Sequence, residues 1–458
     1  MTAFEKYLDG LHGRQIAVIG AGVSNMPLIE RLREAGLSVV VHDKKTEAEL
    51  GAQYEALTKL GAALVLGEHY LDHLPEDVIF RTPGVHPEHP ALREARKAGR
   101  LVTSEMELFF ELCPCPVIGI TGSDGKTTTT TLTCEILKRA GHTVHLGGNI
   151  GRPLLPDVEK ITPNDLAVVE LSSFQLMDMR RSPSCAAITN LTPNHLDYHG
   201  TFEEYVEAKT AIFRFQLPGG RLILNWDDPV THSLELPEGA EVCWTSKTST
   251  PLNGVFLRTD GMICISDAGN VRELLPQQEI RIPGAHNVYN IMMAAALVQG
   301  LAADADICSV AREFGGVEHR IEFVREKDGV CYYNDSIASS PTRTIAGLQS
   351  FDQKLILIAG GYDKHLDYTV LAEPICGHVK TLILTGATAS KIRAAVEQTE
   401  CQKPDILEAA DLADAVQQAA HSAGTGDIVI LSPASASFDC FRNFMERGDR
   451  FKALVHAL

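Results

Sequence analysis

Long apolar runs are scarce in this chain. The longest, such as Ile291–Val298, fall well short of the roughly 20 residues that cross a bilayer, so no membrane span is expected. The opening residues carry no basic region followed by an apolar core, so no signal peptide is expected. Positive charge is also in short supply. Lys and Arg number 41 against 59 Asp and Glu, for a net charge of −18. Nucleic-acid and anionic-membrane surfaces need clustered cations, so neither partner is expected. Phosphate ligands are not excluded, because a few local donors suffice. Cysteine is thinly spread. The 11 cysteines are an odd number. Cys113 and Cys115 form the only close pair, and no metal-ligand spacing lies nearby. Reduced thiols in a cytoplasmic protein are the simple reading. Internal repeats and low-complexity linkers are absent. What remains is a globular composition, 45% hydrophobic and 22% charged, over 458 residues, a length that suggests about three domains.

One stretch organises the rest: Val117-Ile118-Gly119-Ile120-Thr121-Gly122-Ser123-Asp124-Gly125-Lys126-Thr127-Thr128. It reads as a buried strand, a glycine turn and a helix start. Gly122 and Gly125 let backbone N–H groups approach an anion, and the helix aims its positive end at the same place. Lys126 adds a mobile cation and Thr127 a hydroxyl suited to Mg²⁺. A full P-loop would carry glycine at Ile120; this is the shorter T-G-x-x-G-K-T form. The expected ligand is a nucleoside triphosphate.

Ahead of this loop, Gln15–Ile19 is expected as a strand, Gly20 to Asn25 as a phosphate-type turn, Pro27–Ala35 as a helix and Leu37–His42 as a second strand ending at Asp43. This is a βαβ unit of dinucleotide type, but Asn25 stands where the third glycine of G-x-G-x-x-G belongs, so the pattern speaks for the fold more than for NAD. Asp43-Lys44-Lys45 is positioned to hold a ribose hydroxyl and a phosphate. Pro114 and Pro116 mark a boundary near residue 114.

After the loop, Lys126–Ala140 is expected to be helical despite its threonines, with Gly141 as the stop. Thr143–Leu146 leads into a second glycine turn at Gly147-Gly148-Asn149-Ile150-Gly151. Strand Leu166–Val169 delivers Glu170, and strand Ala186–Thr189 delivers Asn190 to Asp197, including His195. With the Thr127 hydroxyl, Glu170 and His195 make a plausible Mg²⁺ environment. Thr201–Glu204 is a capping box that starts a helix carrying Lys209. Residues Glu241–Ile282 look like short β segments. From Gly316 onward, strand ends at Asn334, Ala359, Leu384 and Leu431 precede functional-looking loops, as expected of a third α/β domain.

The chain resembles the Mur ligases over essentially its whole length. The resemblance rests on T-G-S-D-G-K-T, E-L-S-S-F-Q-L from Glu170, N-L-T-P-N-H-L-D from Asn190, H-N-V-Y-N from His286, H-R at His319, N-D-S from Asn334, G-G-Y-D-K from Gly360 and L-S-P-A-S-A-S-F-D from Leu431. The last two favour the D-glutamate-adding branch. The resemblance implies an α/β protein of three domains. Residues 1–113 would form a Rossmann-like domain for the UDP substrate, 114–315 a central P-loop-type ATP-binding domain, and 316–458 a C-terminal Rossmann-like domain for the amino acid. It implies ATP and Mg²⁺, UDP-N-acetylmuramoyl-L-alanine and D-glutamate as substrates, an acyl-phosphate intermediate and a monomer.

Residue by residue, the resemblance gives Lys126 and the loop Thr121, Gly122, Ser123, Asp124, Gly125, Thr127 and Thr128 to the ATP phosphates. Asn287 and Asn290 fall near the base, and Arg320 and Asp335 contact ATP from the third domain. Thr127 and Glu170 would ligate one Mg²⁺, and His195 with a carbamylated Lys209 a second. Ser24, Asp43, Lys44 and Thr82 fall where UDP is held, and Asn149 and His195 along the muramoyl-alanine arm. Lys364, Ser437 and Phe444 match positions that hold D-glutamate. The family's N-D-S-K-A-T reads here Asn334-Asp335-Ser336-Ile337-Ala338-Ser339, with Ser339 for the threonine and no lysine; Arg343 is a candidate replacement for that charge. A ligase of the same superfamily for another amino acid and a nicotinamide-dependent dehydrogenase are the rival readings. Asn25 and the second nucleotide loop speak against the dehydrogenase.

Overall fold

The computed structural model describes residues 1–458. Contacts divide the chain into two compact units, residues 1–277 with 289–310, and residues 278–288 with 311–458. The first unit contains two sheets and the second unit one.

The N-terminal sheet comprises β1 (Ile16–Ile19), β2 (Val39–Asp43), β3 (Ala63–Leu66), β4 (Val78–Phe80) and β5 (Leu101–Thr103), in the order β3-β2-β1-β4-β5 and parallel throughout. β1 and β4 are buried along their whole length, which is why they read as continuous apolar runs rather than alternating ones. Strand order reverses at β1, so its C-terminal end opens the crevice where such sheets take ligands. The Gly20 turn sits there. The amide of Asn25 donates to the carbonyls of Ile19 and Gly20 at 2.9 and 3.0 Å. Asn25 thus pins the turn by hydrogen bonding at the third-glycine position.

The second sheet comprises β6 (Val117–Thr121), β7 (Val144–Gly148), β8 (Leu166–Glu170), β9 (Cys185–Ile188), β10 (Arg221–Asn225), β11 (Glu241–Ser246), β12 (Gly254–Leu257), β13 (Met262–Asp267) and β14 (Asn270–Pro276). Their order is β14-β13-β12-β11-β10-β9-β6-β8-β7. The strands from β12 to β7 run parallel, and β13 and β14 are antiparallel additions at one edge. Two of the β segments expected between Glu241 and Ile282 therefore extend the parallel sheet. Gly147 and Gly148, expected in a turn, end β7 instead. A Cβ on Gly148 would meet the Glu170 carbonyl, so glycine there lets β7 lie this close to β8, and one on Gly147 would meet the Leu154 side chain that packs over it. The helix Lys126–Arg139 forms despite its threonines. The hydroxyls of Thr130, Thr131 and Thr133 donate to carbonyls one turn back at 2.7–2.8 Å, so they take part in the helix rather than compete with it.

The second unit holds β15 (Glu322–Lys327), β16 (Val330–Asn334), β17 (Leu355–Ala359), β18 (Val379–Leu384), β19 (Asp405–Glu408) and β20 (Ile428–Leu431), in the order β15-β16-β20-β17-β18-β19. Only β15 is antiparallel. Apolar clusters cover both faces. One expectation is corrected here. Cys376 and Cys401 are joined in a disulfide, so the thiols are not all reduced; the other nine cysteines are free. The pair was invisible in sequence because 25 residues separate its members and the fold brings them together. No helix is long and apolar enough to cross a membrane.

Candidate active site

The centre of the first unit is the turn after β6. Gly122 and Gly125 have φ of +144° and +77°. A Cβ at Gly122 would collide with Thr189 and one at Gly125 with Asn290, so both positions require glycine for space as well as for backbone angle. The Lys126 ammonium curls over the turn and donates to the Gly122 and Ser123 carbonyls, each at 2.9 Å. Thr189 and Asn190, at the end of β9, tie down the loop: the Asn190 side-chain oxygen accepts from the Asp124 amide at 2.9 Å. Asn290, buried on the helix Ala285–Leu297, accepts from Thr129 Oγ1 at 3.3 Å.

Around this turn stand the residues expected to hold metal. Glu170 ends β8 and is 1% exposed. One carboxylate oxygen accepts from the Asn149 amide at 2.7 Å, and the other, Oε2, is buried without a partner. A desolvated carboxylate oxygen left open is costly unless a cation meets it. Lys209, also 1% exposed, donates to Thr121 Oγ1 at 3.1 Å and to the Gly122 carbonyl at 2.8 Å. Burial, and after it the charge of Lys126, holds its amine far below the ordinary lysine range. A neutral amine is what carbamylation requires, so the chemistry of this donor set fits a divalent ion.

His195 lies on an exposed loop with φ 53° and ψ 35°. This left-handed conformation is uncommon for a side-chain-bearing residue. Desolvation lowers its pKa, and the charge of Lys126 acts in the same direction against Asp197. Its ring packs on Phe174 at 4.9 Å between centroids. Sequence reasoning passed over His199, one turn further on. It is buried, bonds Ser173 Oγ at 2.9 Å, and stacks on Phe174 with planes 7° apart. Burial pushes its pKa down to about 4. It is therefore a neutral imidazole beneath the loop, and its Nδ1 is without a partner. The second histidine of Asn194-His195-Leu196-Asp197-Tyr198-His199 was the available signal.

In the N-terminal sheet, Asp43 is buried, not part of a solvated loop. Its two oxygens accept from the amides of Ala21 at 2.8 Å and Lys45 at 2.9 Å, so it braces the phosphate-type turn. Ser24 is half-buried and Lys44 exposed. Thr82 reaches the same place, since a Cβ on Gly20 would touch it at 3.4 Å.

In the second unit, Asp335 follows β16 and is buried. It accepts from Ser432 Oγ at 2.7 Å and from the Ile321 amide at 3.3 Å. Burial pushes its pKa up to about 7, against the pull of Arg320 and Arg343. Asn287 is buried and donates to the Pro283 carbonyl at 2.5 Å, while Arg320 is exposed. Lys364 is exposed after β17, with its ammonium 5.5 Å from the centre of the Phe438 ring. Ser437 is buried, and Ser339 and Phe444 are half-buried. Arg343 is exposed and reaches the Ile337 carbonyl at 3.3 Å. Sequence reasoning also missed Arg447. This buried guanidinium donates to Ser336 Oγ and to the carbonyls of Ser336, Ser435 and Ala436 at 2.9–3.0 Å, tying the two candidate substrate loops together.

Residues 120–298 match the Mur ligase middle domain and residues 319–435 the Mur ligase, glutamate ligase domain. The UDP-N-acetylmuramoylalanine--D-glutamate ligase of Acetivibrio thermocellus is 46% identical, with 100% of this chain and 99% of the relative covered. The enzyme of the same name from Clostridium novyi is 45% identical, with 99% of each covered. Among solved structures, UDP-N-acetylmuramate-alanine ligase from Thermotoga maritima superposes with a TM-score of 0.57 at 18% identity, covering 97% of this chain and 99% of the other. A MurF ligase from Thermotoga maritima in complex with ADP gives 0.54 at 17%, covering 98% and 97%. At these identities the two structures speak for the fold.

Proposed function

The chain belongs to the Mur ligase family, and as such, we propose, it is an ATP-dependent amide ligase that adds D-glutamate to UDP-N-acetylmuramoyl-L-alanine in peptidoglycan precursor synthesis. The observation that carries this reading is end-to-end likeness, 46% identity over 100% of the chain, to a ligase of that name. We assign residues 1–113 to the UDP substrate, 114–315 to ATP and 316–458 to D-glutamate.

A carboxylate is a poor electrophile until one oxygen becomes a leaving group. The alanyl carboxylate therefore attacks the γ-phosphorus of ATP. The bond to the β-phosphate oxygen breaks, ADP leaves and an acyl phosphate forms. The amine of D-glutamate then attacks the acyl carbon, phosphate departs with the former carboxylate oxygen, and the nitrogen loses a proton. Lys126 and the amides of the Gly122–Thr127 turn would meet the charge that builds on the transferring group. Thr127, Glu170, His195 and a carbamate on Lys209 would hold Mg²⁺, which when bound neutralises phosphate charge. Asn149 orients Glu170 through its 2.7 Å bond. Ser24, Asp43, Lys44 and Thr82 would border the UDP end. Asn287, Asn290, Arg320 and Asp335 would border the nucleotide. Lys364, Ser437, Ser339 and Phe444 would receive D-glutamate, with Arg343 supplying charge that Ile337 lacks. We take the working form to be a cytoplasmic monomer.

Incubation with ATP, Mg²⁺, UDP-N-acetylmuramoyl-L-alanine and each D- or L-amino acid in turn, with phosphate release measured, tests the assignment. Release with D-glutamate alone is expected; release with another amino acid and not D-glutamate overturns it.

A further inference from the structure

The last residue before the Thr82 turn has no role in the chemistry above, yet it is the largest fully buried side chain of the molecule. Arg81 follows β4 and uses its guanidinium in several directions at once. Nε and one terminal nitrogen grip both oxygens of Asp178 at 2.9 and 2.5 Å. That same terminal nitrogen donates to the Phe174 carbonyl at 3.1 Å. The other donates to the carbonyls of Thr82 and Val85 at 3.2 and 2.7 Å, closing the turn around the charge. Asp178 and Phe174 belong to the stretch after β8. One buried cation thus joins a turn of the N-terminal sheet to the central sheet.

The same two pieces meet a second time. Tyr198 donates its hydroxyl to the Pro83 carbonyl at 2.9 Å, and its ring lies 5.2 Å from His86. Phe174 is the hub. Its ring is 4.4 Å from Tyr198, 4.9 Å from His195 and 5.5 Å from His199. The loop Thr192–Asp197 is otherwise exposed and carries His195 in a left-handed conformation. Phe174, outside this loop, supplies the ring contact that His195 makes.

We propose that Arg81 is a positioning residue that couples occupancy of the Thr82–Val85 turn to the placement of His195. A ligand that fixes the turn fixes Pro83 and the carbonyls bound to Arg81. Through Tyr198 and Phe174 it thereby restricts the loop of His195. The ordering cost of that loop is then met once, by whichever substrate binds first, and the second binds more tightly. The coupling is reciprocal by thermodynamic necessity. This coupling rests on the substrate assignment proposed above.

The test is calorimetric binding of a non-hydrolysable ATP analogue with Mg²⁺ to the full chain, with and without saturating UDP-N-acetylmuramoyl-L-alanine. In the unmodified protein the UDP substrate should tighten analogue binding by about five-fold or more, the lower end of typical couplings. Arg81→Lys keeps the charge but not the planar fork, and should bring the ratio toward one. Tyr198→Phe removes a single hydroxyl and should lower the ratio in part; it decides the matter if Arg81→Lys does not fold. A purely structural role would reduce melting temperature and both affinities while leaving the ratio intact, and that outcome overturns the inference. So does a ratio of one in the unmodified protein. Failure of the unmodified protein to bind the UDP substrate at all overturns the functional assignment and this inference with it, whereas binding with unaltered ratios in both variants overturns the inference alone.

Discussion

Lys126 sits over the phosphate turn with its ammonium 2.9 Å from two loop carbonyls, and in the role proposed for it, its removal deletes a charge that would face the transferring phosphoryl group. Lys126→Ala should lose roughly 3 kcal/mol or more of transition-state stabilisation, and calorimetry should find UDP-substrate binding little changed. Lys209→Ala should be inactive, and short carboxylates added to the assay should restore part of the turnover by filling the space of a carbamate. Full activity without additive would remove Lys209 from the site. Lys364→Ala should raise the KM for D-glutamate strongly and leave that for ATP nearly unchanged, since one ion-pairing partner is lost at one substrate. Arg343→Ala should follow the same pattern more weakly; steady-state kinetics with each substrate varied in turn separates them. The candidate residues were legible in sequence wherever chemistry depends on a short motif, as at Gly122–Thr127. Their supports were not. Arg81, His199 and Arg447 act through backbone carbonyls and ring faces, and those partners lie up to 111 positions away. No local spacing encodes such pairings.

At the scale of elements, Glu105 is instructive. It begins the helix Glu105–Leu112 and accepts from the Leu155 amide at 3.1 Å, at the start of the short helical turn Leu155–Lys160. Burial raises its pKa from 4.5 to about 7. The native state therefore keeps this proton under conditions where the unfolded chain has lost it. The stability it confers is full below about pH 4.5 and is lost as pH rises through about 7. Denaturant titrations across that range should show stability declining, and Glu105→Gln should flatten the decline; an unchanged slope would place the titration elsewhere. Strands were the most legible elements. β6, β8, β17 and β20 are built on apolar runs that give way to Thr121, Glu170, Gly360 and Ser432, and the sheets place them where those runs predict. The helices Ala3–Asp9, Glu105–Leu112 and Phe444–Ala457 were not foreseen. Their apolar faces are short and mixed with charge, and tertiary packing rather than propensity holds them.

For the whole molecule, the excess of 59 acidic over 41 basic side chains sets a field that opposes its own substrates, since ATP, the UDP substrate and D-glutamate are all anions. Between about 10 and 150 mM monovalent salt the Debye length shrinks from about 30 to 8 Å. The kcat/KM for ATP should therefore rise by a factor of about two, the reverse of an electrostatically steered enzyme; a fall would show that local cations dominate the approach. The architecture was largely readable as α/β sheets with loops at strand ends. The pairing of Cys376 with Cys401 was not, because it exists only once β18 and β19 have been brought together. In the metal-holding role proposed for His195, folding and chemistry make opposed demands there. Its φ of 53° costs a non-glycine residue about 1 kcal/mol, a noticeable fraction of the margin by which any domain stays folded. A library of variants sorted for foldedness alone should accumulate glycine at position 195, and one sorted for growth on its product should return histidine. The difference between the two populations would measure how far selection has traded robustness for catalysis at a single codon.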